Sequence, residues 1–131
     1  MKGFFDGASR SNPGKAGAGS LLMDSSGKVV WTKAEYLGVK TNNEAEYSAL
    51  INLLTEARAR GIKELEVYGD SQLVISQVTR EWKIKKPHLF ELASKVWELA
   101  CGMSVSFKWV PREQNKLADA LSNEAIDGKE K

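Results

Sequence analysis

Cysteine is all but missing from this chain. Cys101 stands alone in 131 residues, which excludes an intrachain disulfide and a cysteine-built zinc site. His88 is the single histidine, so there is no imidazole cluster for a transition metal. Apolar runs of membrane-crossing length are absent, and the opening Met1-Lys2-Gly3-Phe4-Phe5-Asp6 is interrupted too early for a signal peptide. No repeat, low-complexity tract or linker marks a second domain, so residues 1–131 are expected to form one. Neither sign of charge dominates. The balance of 19 Lys and Arg against 17 Asp and Glu leaves +2, which neither demands nor excludes a nucleic-acid partner. These absences predict a soluble, cytoplasmic protein with no membrane partner. Cys101 ends an apolar helical run and is expected to be buried. His88 is expected on the surface at a helix start.

What is present is a clear order of elements. Residues 1–5 read as a strand that ends in Asp6-Gly7, with a loop over residues 8–15. Residues 17–23 read as a second strand, where Gly17, Ala18 and Gly19 imply close backbone approach by a neighbour or a ligand. Asp24-Ser25-Ser26-Gly27 signals a turn into a third strand over 29–36. Thr41-Asn42-Asn43 opens a helix that stops at Gly61, with Tyr47, Leu50, Leu53, Leu54 and Ala57 as its apolar stripe. Residues 65–68 alternate as a short strand, and 71–79 turn helical. A basic connector over 80–86 leads to Pro87 and a helix that ends at Gly102. Val105, Phe107 and Trp109 alternate with polar neighbours as a last strand. A final helix over 115–125 is followed by a tail expected to fray from 127 to 131. Opening hairpins with later crossovers predict an α/β fold, a mixed sheet with helices on its faces.

Four acids fall at informative places. Glu46 lies in the middle of the apolar stripe on a wheel of about 100° per residue, whereas Glu44 lies on the polar side. An ionised carboxylate on a buried face needs a cation, hydrogen bonds or a metal. The plainer alternative is a frayed first turn that lets Glu46 reach water or a salt bridge. Asp70 sits where a strand ends and a helix begins, the rim on which ligands bind in open α/β sheets; a helix cap is the alternative. Asp6 belongs to an Asp-Gly pair that also reads as a turn. Asp119 shares a helix side with Asn115 and Ser122, away from Leu117 and Leu121, and periodicity alone reads it as solvated. Gathered on one rim, unpaired carboxylates would repel and their pKa values would rise. Divalent cations remove that conflict, and an all-oxygen donor set suits Mg²⁺ or Mn²⁺ rather than zinc. Two such ions roughly 4 Å apart can activate water and stabilise the leaving oxygen of a phosphodiester.

At these residues the chain resembles the type 1 ribonuclease H family over nearly its whole length. The motifs that carry the likeness are Asp6-Gly7, Thr41-Asn42-Asn43-Glu44-Ala45-Glu46, Asp70-Ser71-Gln72 and Asn115-Lys116-Leu117-Ala118-Asp119. The resemblance implies a ribonuclease H-like fold, a five-stranded mixed sheet with its first three strands antiparallel and helices on both faces. It implies endonucleolytic cleavage of the RNA strand of RNA/DNA hybrids, leaving 5′-phosphate and 3′-hydroxyl ends. Asp6, Glu46, Asp70 and Asp119 would be the catalytic metal ligands, holding two Mg²⁺ (or Mn²⁺) ions with substrate. Gly7, Ala8, Asn42, Asn43 and Gln72 would contact the RNA strand. Asn12 and Thr41 would hold a phosphate of the DNA strand.

The chain departs from its relatives in two ways. Many relatives carry a histidine before the last helix; here the short loop holds Arg112, which would assist by charge but cannot shuttle a proton at neutral pH. Larger relatives have a basic protrusion, of which Arg80-Glu81-Trp82-Lys83-Ile84-Lys85-Lys86 is a remnant. Its cations around Trp82 would bind the DNA backbone, with Trp82 against a sugar or base; solvated lysines beside a core tryptophan are the alternative. The likeness is closest to short prokaryotic and plant-type members, with no appended hybrid-binding domain, no obligate protein partner and a monomer expected. Gly14-Lys15-Ala16 is not a phosphate-cradling loop, since the spacing is wrong and no Ser or Thr follows the lysine. Two competing readings remain: a silent binding module for hybrids or structured RNA, and another nuclease or integrase of the same fold class.

Overall fold

The computed structural model describes residues 1–130. Ten elements follow one another, one of them a single 3₁₀ turn, Arg112–Gln114. The strands are β1 (Lys2–Ser9), β2 (Gly14–Met23), β3 (Val29–Lys40), β4 (Glu64–Gly69) and β5 (Ser104–Trp109). The helices are α1 (Asn42–Ala59), α2 (Gln72–Val78), α3 (Pro87–Ala100) and α4 (Lys116–Glu130). The sheet has five strands in the order β3-β2-β1-β4-β5. Strands β1 to β3 form the antiparallel meander, and β4 and β5 add in parallel after helical crossovers. The mixed sheet expected above is therefore the one observed.

The two faces of the sheet are covered by different chemistry. On one face, α1 buries Tyr47, Leu50, Leu53, Leu54 and Ala57 completely, against Phe5, Leu22 and Val67. On the other face, α4 seats on β2 through small and polar residues: Ala118, Ser122 and Ile126 are fully buried. No side chain separates helix from ladder there. A Cβ on Gly17 would stand 2.3 Å from the Ser122 carbonyl oxygen, and one on Gly19 2.3 Å from that of Ala118. The small residues of β2 thus serve a neighbouring helix.

Several boundaries differ from the sequence expectation. Asp6-Gly7 does not turn the chain; the β1–β2 ladder continues through Gly7, Ala8 and Ser9, paired with Ala18, Gly17 and Ala16. Gly7 is required by α1, whose Ala45 backbone would lie 2.3 Å from its Cβ. Helix α4 does not fray at residue 127 but runs on through Glu130, because Ile126 is buried, Asp127 pairs with Arg10 and Lys129 lies over the Tyr36 ring. Lys131 lies outside the described residues. Leu117, taken as part of an apolar side, is 56% exposed, since the buried face is the one bearing Asn115, Ala118 and Ser122. Cys101 is exposed rather than buried: it is the C-cap of α3, turned outward where its carbonyl accepts from Arg58 Nη1 at 2.8 Å. His88 is exposed, as expected. Among the described residues no helix is long and apolar enough to cross a membrane.

Candidate active site

Asp6, Glu46 and Asp70 meet at the end of the sheet where β4 stops and β1 continues. The last β1–β4 rung joins Phe5 to Gly69, so Asp6 and Asp70 each emerge one residue beyond it. Asp6 is buried, and its Oδ1 accepts the Gly7 N–H at 2.9 Å. Glu46 comes from the first turns of α1, which a reciprocal cap fixes. Thr41 Oγ1 accepts the Glu44 N–H at 3.2 Å, and Glu44 Oε1 accepts the Thr41 N–H at 3.0 Å. That turn is therefore not frayed, and Glu46 does not reach water: the residue is 8% exposed. Glu44, on the polar side, is spent on the cap. At the third position Ser71, not Asp70, caps α2, accepting the Val74 N–H at 3.2 Å. The Asp70 side chain is left for another task. Its carbonyl accepts Trp109 Nε1–H at 3.2 Å, which ties the rim to β5.

These three residues each offer a carboxylate oxygen, and the three oxygens lie within 4.8 Å of one another. Glu46 Oε2 is buried and has no hydrogen-bond partner. The electrostatic consequence is large. Asp6 is pushed up to about 7, chiefly by burial; a hydrogen bond from Glu46 opposes the rise, and the charges of Asp70 and Asp119 add to it. Burial also lifts Glu46 well above the usual carboxylate range, with the Asp6 charge next in weight. Without a counter-charge, Asp6 and Glu46 share protons rather than ionise together. An all-carboxylate donor set with one orphaned buried oxygen fits a hard divalent cation, and Mg²⁺ is the natural candidate.

Asp119 lines the same pocket, but stands outside the tight trio. Its Oδ1 receives Arg112 Nη2 at 3.5 Å and Asn123 Nδ2 at 3.2 Å. The base of α4 is fixed to β1 by Asn115, a fully buried amide whose Nδ2 donates to the Phe5 carbonyl at 2.9 Å. Asn115 thus couples the residue before Asp6 to the helix that carries Asp119.

Gly7, Ala8, Asn42 and Arg112 also line the pocket. Asn42 Oδ1 accepts the Ser9 N–H at 3.0 Å, and Asn12 Oδ1 accepts the Asn42 N–H at 3.1 Å, so the loop and the start of α1 interlock. Asn12, Thr41, Asn43, Gln72 and Trp82 are not among the pocket-lining residues. Trp82 is 46% exposed, on a separate groove beyond α2, which answers the reading of it as a core residue. Ser9, Arg10 and Asn123 line the pocket without having been singled out. Asn123 was within reach of sequence reasoning, since it lies one helical turn beyond Asp119.

Residues 4–125 match the family model described as Reverse transcriptase-like. The chain is 44% identical over 125 residues to a ribonuclease HI of Halobacterium salinarum, across 95% of this chain and 63% of that relative. Three mycobacterial relatives are 40% identical, and the chain spans 34% of their length. A crystal structure of RNase H1 from Halobacterium salinarum superposes with a TM-score of 0.94 at 43% identity, covering 97% of each chain. LC11-RNase H1, solved in complex with an RNA/DNA hybrid, superposes with a TM-score of 0.94 at 36% identity, covering 99% of each chain.

Proposed function

The chain belongs to the type 1 ribonuclease H family, and on that premise we propose that it hydrolyses the RNA strand of RNA/DNA hybrids, leaving 5′-phosphate and 3′-hydroxyl ends. One observation carries the reading: Asp6, Glu46 and Asp70 converge within 4.8 Å while a buried Glu46 oxygen lacks any partner. Asp6, Glu46, Asp70 and Asp119 would hold two Mg²⁺ or Mn²⁺ ions with substrate. When bound, these supply positive charge to the scissile phosphate and lower the pKa of an attacking water.

The chain's own residues do the rest. Asp6 and Glu46 give up their shared proton as the site is loaded. The Gly7–Ala8 backbone, Asn42, Asn43 and Gln72 contact the RNA strand, whose 2′-hydroxyls separate it from DNA. Asn12 has its carbonyl oxygen engaged by Asn42, which leaves its amide N–H donors for a phosphate of the DNA strand. Thr41 both donates to and accepts from Glu44, so a phosphate contact from its hydroxyl requires that bond to open. Arg112, on Asp119 at 3.5 Å, stays cationic at all working pH values and assists through charge alone.

The test is a cleavage assay on labelled hybrid, duplex DNA and single strands across a metal series. Wild-type protein should cut only the hybrid RNA strand, and only with a divalent cation. Asp70→Asn should abolish cutting while leaving the circular dichroism spectrum intact. A fully active Asp70→Asn variant would refute the assignment.

A further inference from the structure

Arg80 has a left-handed backbone, φ 66°, which no other non-glycine residue shares among the described ones. It follows Thr79, the C-cap of α2, where glycine is the usual occupant because it has no Cβ to strain. The turn itself needs only the backbone: the Arg80 N–H donates to the Gln77 carbonyl at 3.1 Å and the Trp82 N–H to that of Ser76 at 3.0 Å. Glycine would make the same turn without strain. A strained arginine there points to a task for its side chain.

The side chain is held for such a task. Its guanidinium lies 3.8 Å from the centroid of the Trp97 ring. Trp97 is itself pinned, its Nε1–H donating to the Val78 carbonyl at 3.0 Å and its ring meeting Phe90 edge-on at 6.0 Å. No carboxylate among the described residues pairs with Arg80. It opens on a groove of about 440 Å³ shared with Glu81, Trp82, Lys83, Phe90 and Trp97. Trp82 and Phe90 are 46% and 51% exposed there. Cations interleaved with exposed aromatic faces form a platform for a nucleic-acid strand. Helix α2, seven residues and so about 10 Å long, separates this groove from the carboxylates, with Asp70 just before its start.

We propose that Arg80 is a strand-contact residue: fixed on Trp97 in a strained turn, it grips a backbone phosphate of the hybrid remote from the cleaved bond. This rests on the ribonuclease H reading and adds a specific anchor to it.

The test compares Arg80→Gly and Arg80→Ala with wild type and with Arg60→Ala, a distant control whose arginine pairs with Glu56. Hybrid KM and kcat are measured in Mg²⁺ from about 50 to about 200 mM salt. Both Arg80 variants should raise KM roughly fivefold at low salt with kcat unchanged. Losing one phosphate contact lowers the salt slope by about 0.7–0.9, so the gap should narrow by about threefold at the higher salt. Arg80→Gly should melt above Arg80→Ala, because glycine relieves the backbone, although the two bind equally weakly. Wild-type KM and salt slope in both variants would overturn the inference, as would an equal KM rise in Arg60→Ala. A wild-type protein that neither binds nor cuts the hybrid would overturn the ribonuclease reading as well.

Discussion

Asp6→Asn should make the metal-free protein more stable, although it removes a residue of the proposed catalytic set. Asn keeps the shape and retains the acceptor for the Gly7 N–H, bonded at 2.9 Å in the wild type. What it removes is a charge the fold does not tolerate. Asp6 has an ordinary value of 3.8 and is pushed up to about 7. That interval corresponds to at most about 4 kcal/mol, and relaxation and water entry reduce it to roughly 2 kcal/mol. The folded state binds this proton more tightly than the unfolded chain. Stability is therefore greatest below about pH 4, falls as pH rises through about 7, and is level beyond. Asn has no proton to lose, so its advantage should be about 2 kcal/mol at pH 8 and about a third of that at pH 5. For a domain of this size this means a midpoint higher by about 5–10 °C at pH 8. Thermal melts in EDTA at both pH values measure it. Saturating Mg²⁺ should then raise the wild-type midpoint more than the variant's. A gap equal at pH 5 and pH 8, or a variant less stable than wild type at pH 8, would refute the electrostatic account.

Two further outcomes follow from other parts of the fold. Gly19→Ala puts a methyl where the Ala118 carbonyl oxygen stands 2.3 Å away, so it should destabilise by about 2–4 kcal/mol and lower hybrid cleavage through displacement of Asp119; a wild-type urea midpoint would contradict this. Arg112→Ala should reduce kcat while leaving the shape of the pH–rate profile unchanged, because a guanidinium does not titrate in the working range; a shifted limb would mean that Arg112 tunes an ionising neighbour.

The legibility of the chain varied with the kind of packing. Helix α1 was readable because its buried stripe is aliphatic, and an acid inside an aliphatic stripe is conspicuous; Glu46 stood out for that reason. Asp70 was readable because a strand-to-helix boundary has its own punctuation, although the sequence could not tell which of Asp70 and Ser71 makes the cap. Helix α4 defeated periodicity. Its buried face carries Asn115, Ala118 and Ser122, and its exposed face carries Leu117, so hydrophobic patterning pointed the wrong way. Only the motif order in the family pattern recovered Asp119. The extension of β1 past Asp6 was missed for a related reason: Asp-Gly is a turn signal in isolation, and the demand for glycine came from α1, far away in sequence. Arg10 was equally hidden, since its partner Asp127 lies at the other end of the chain.

The glycine seat beneath α4 has a consequence for how this molecule can vary. With two main chains in direct contact, the height of the helix above the sheet is set by peptide dimensions and not by which aliphatic groups happen to fill the interior. Exchanging leucines and valines under α1 would leave the last acid where it is. A drift at either of two positions on β2 would lift it out of reach. Variation should therefore be broad on one side of the sheet and narrow on the other.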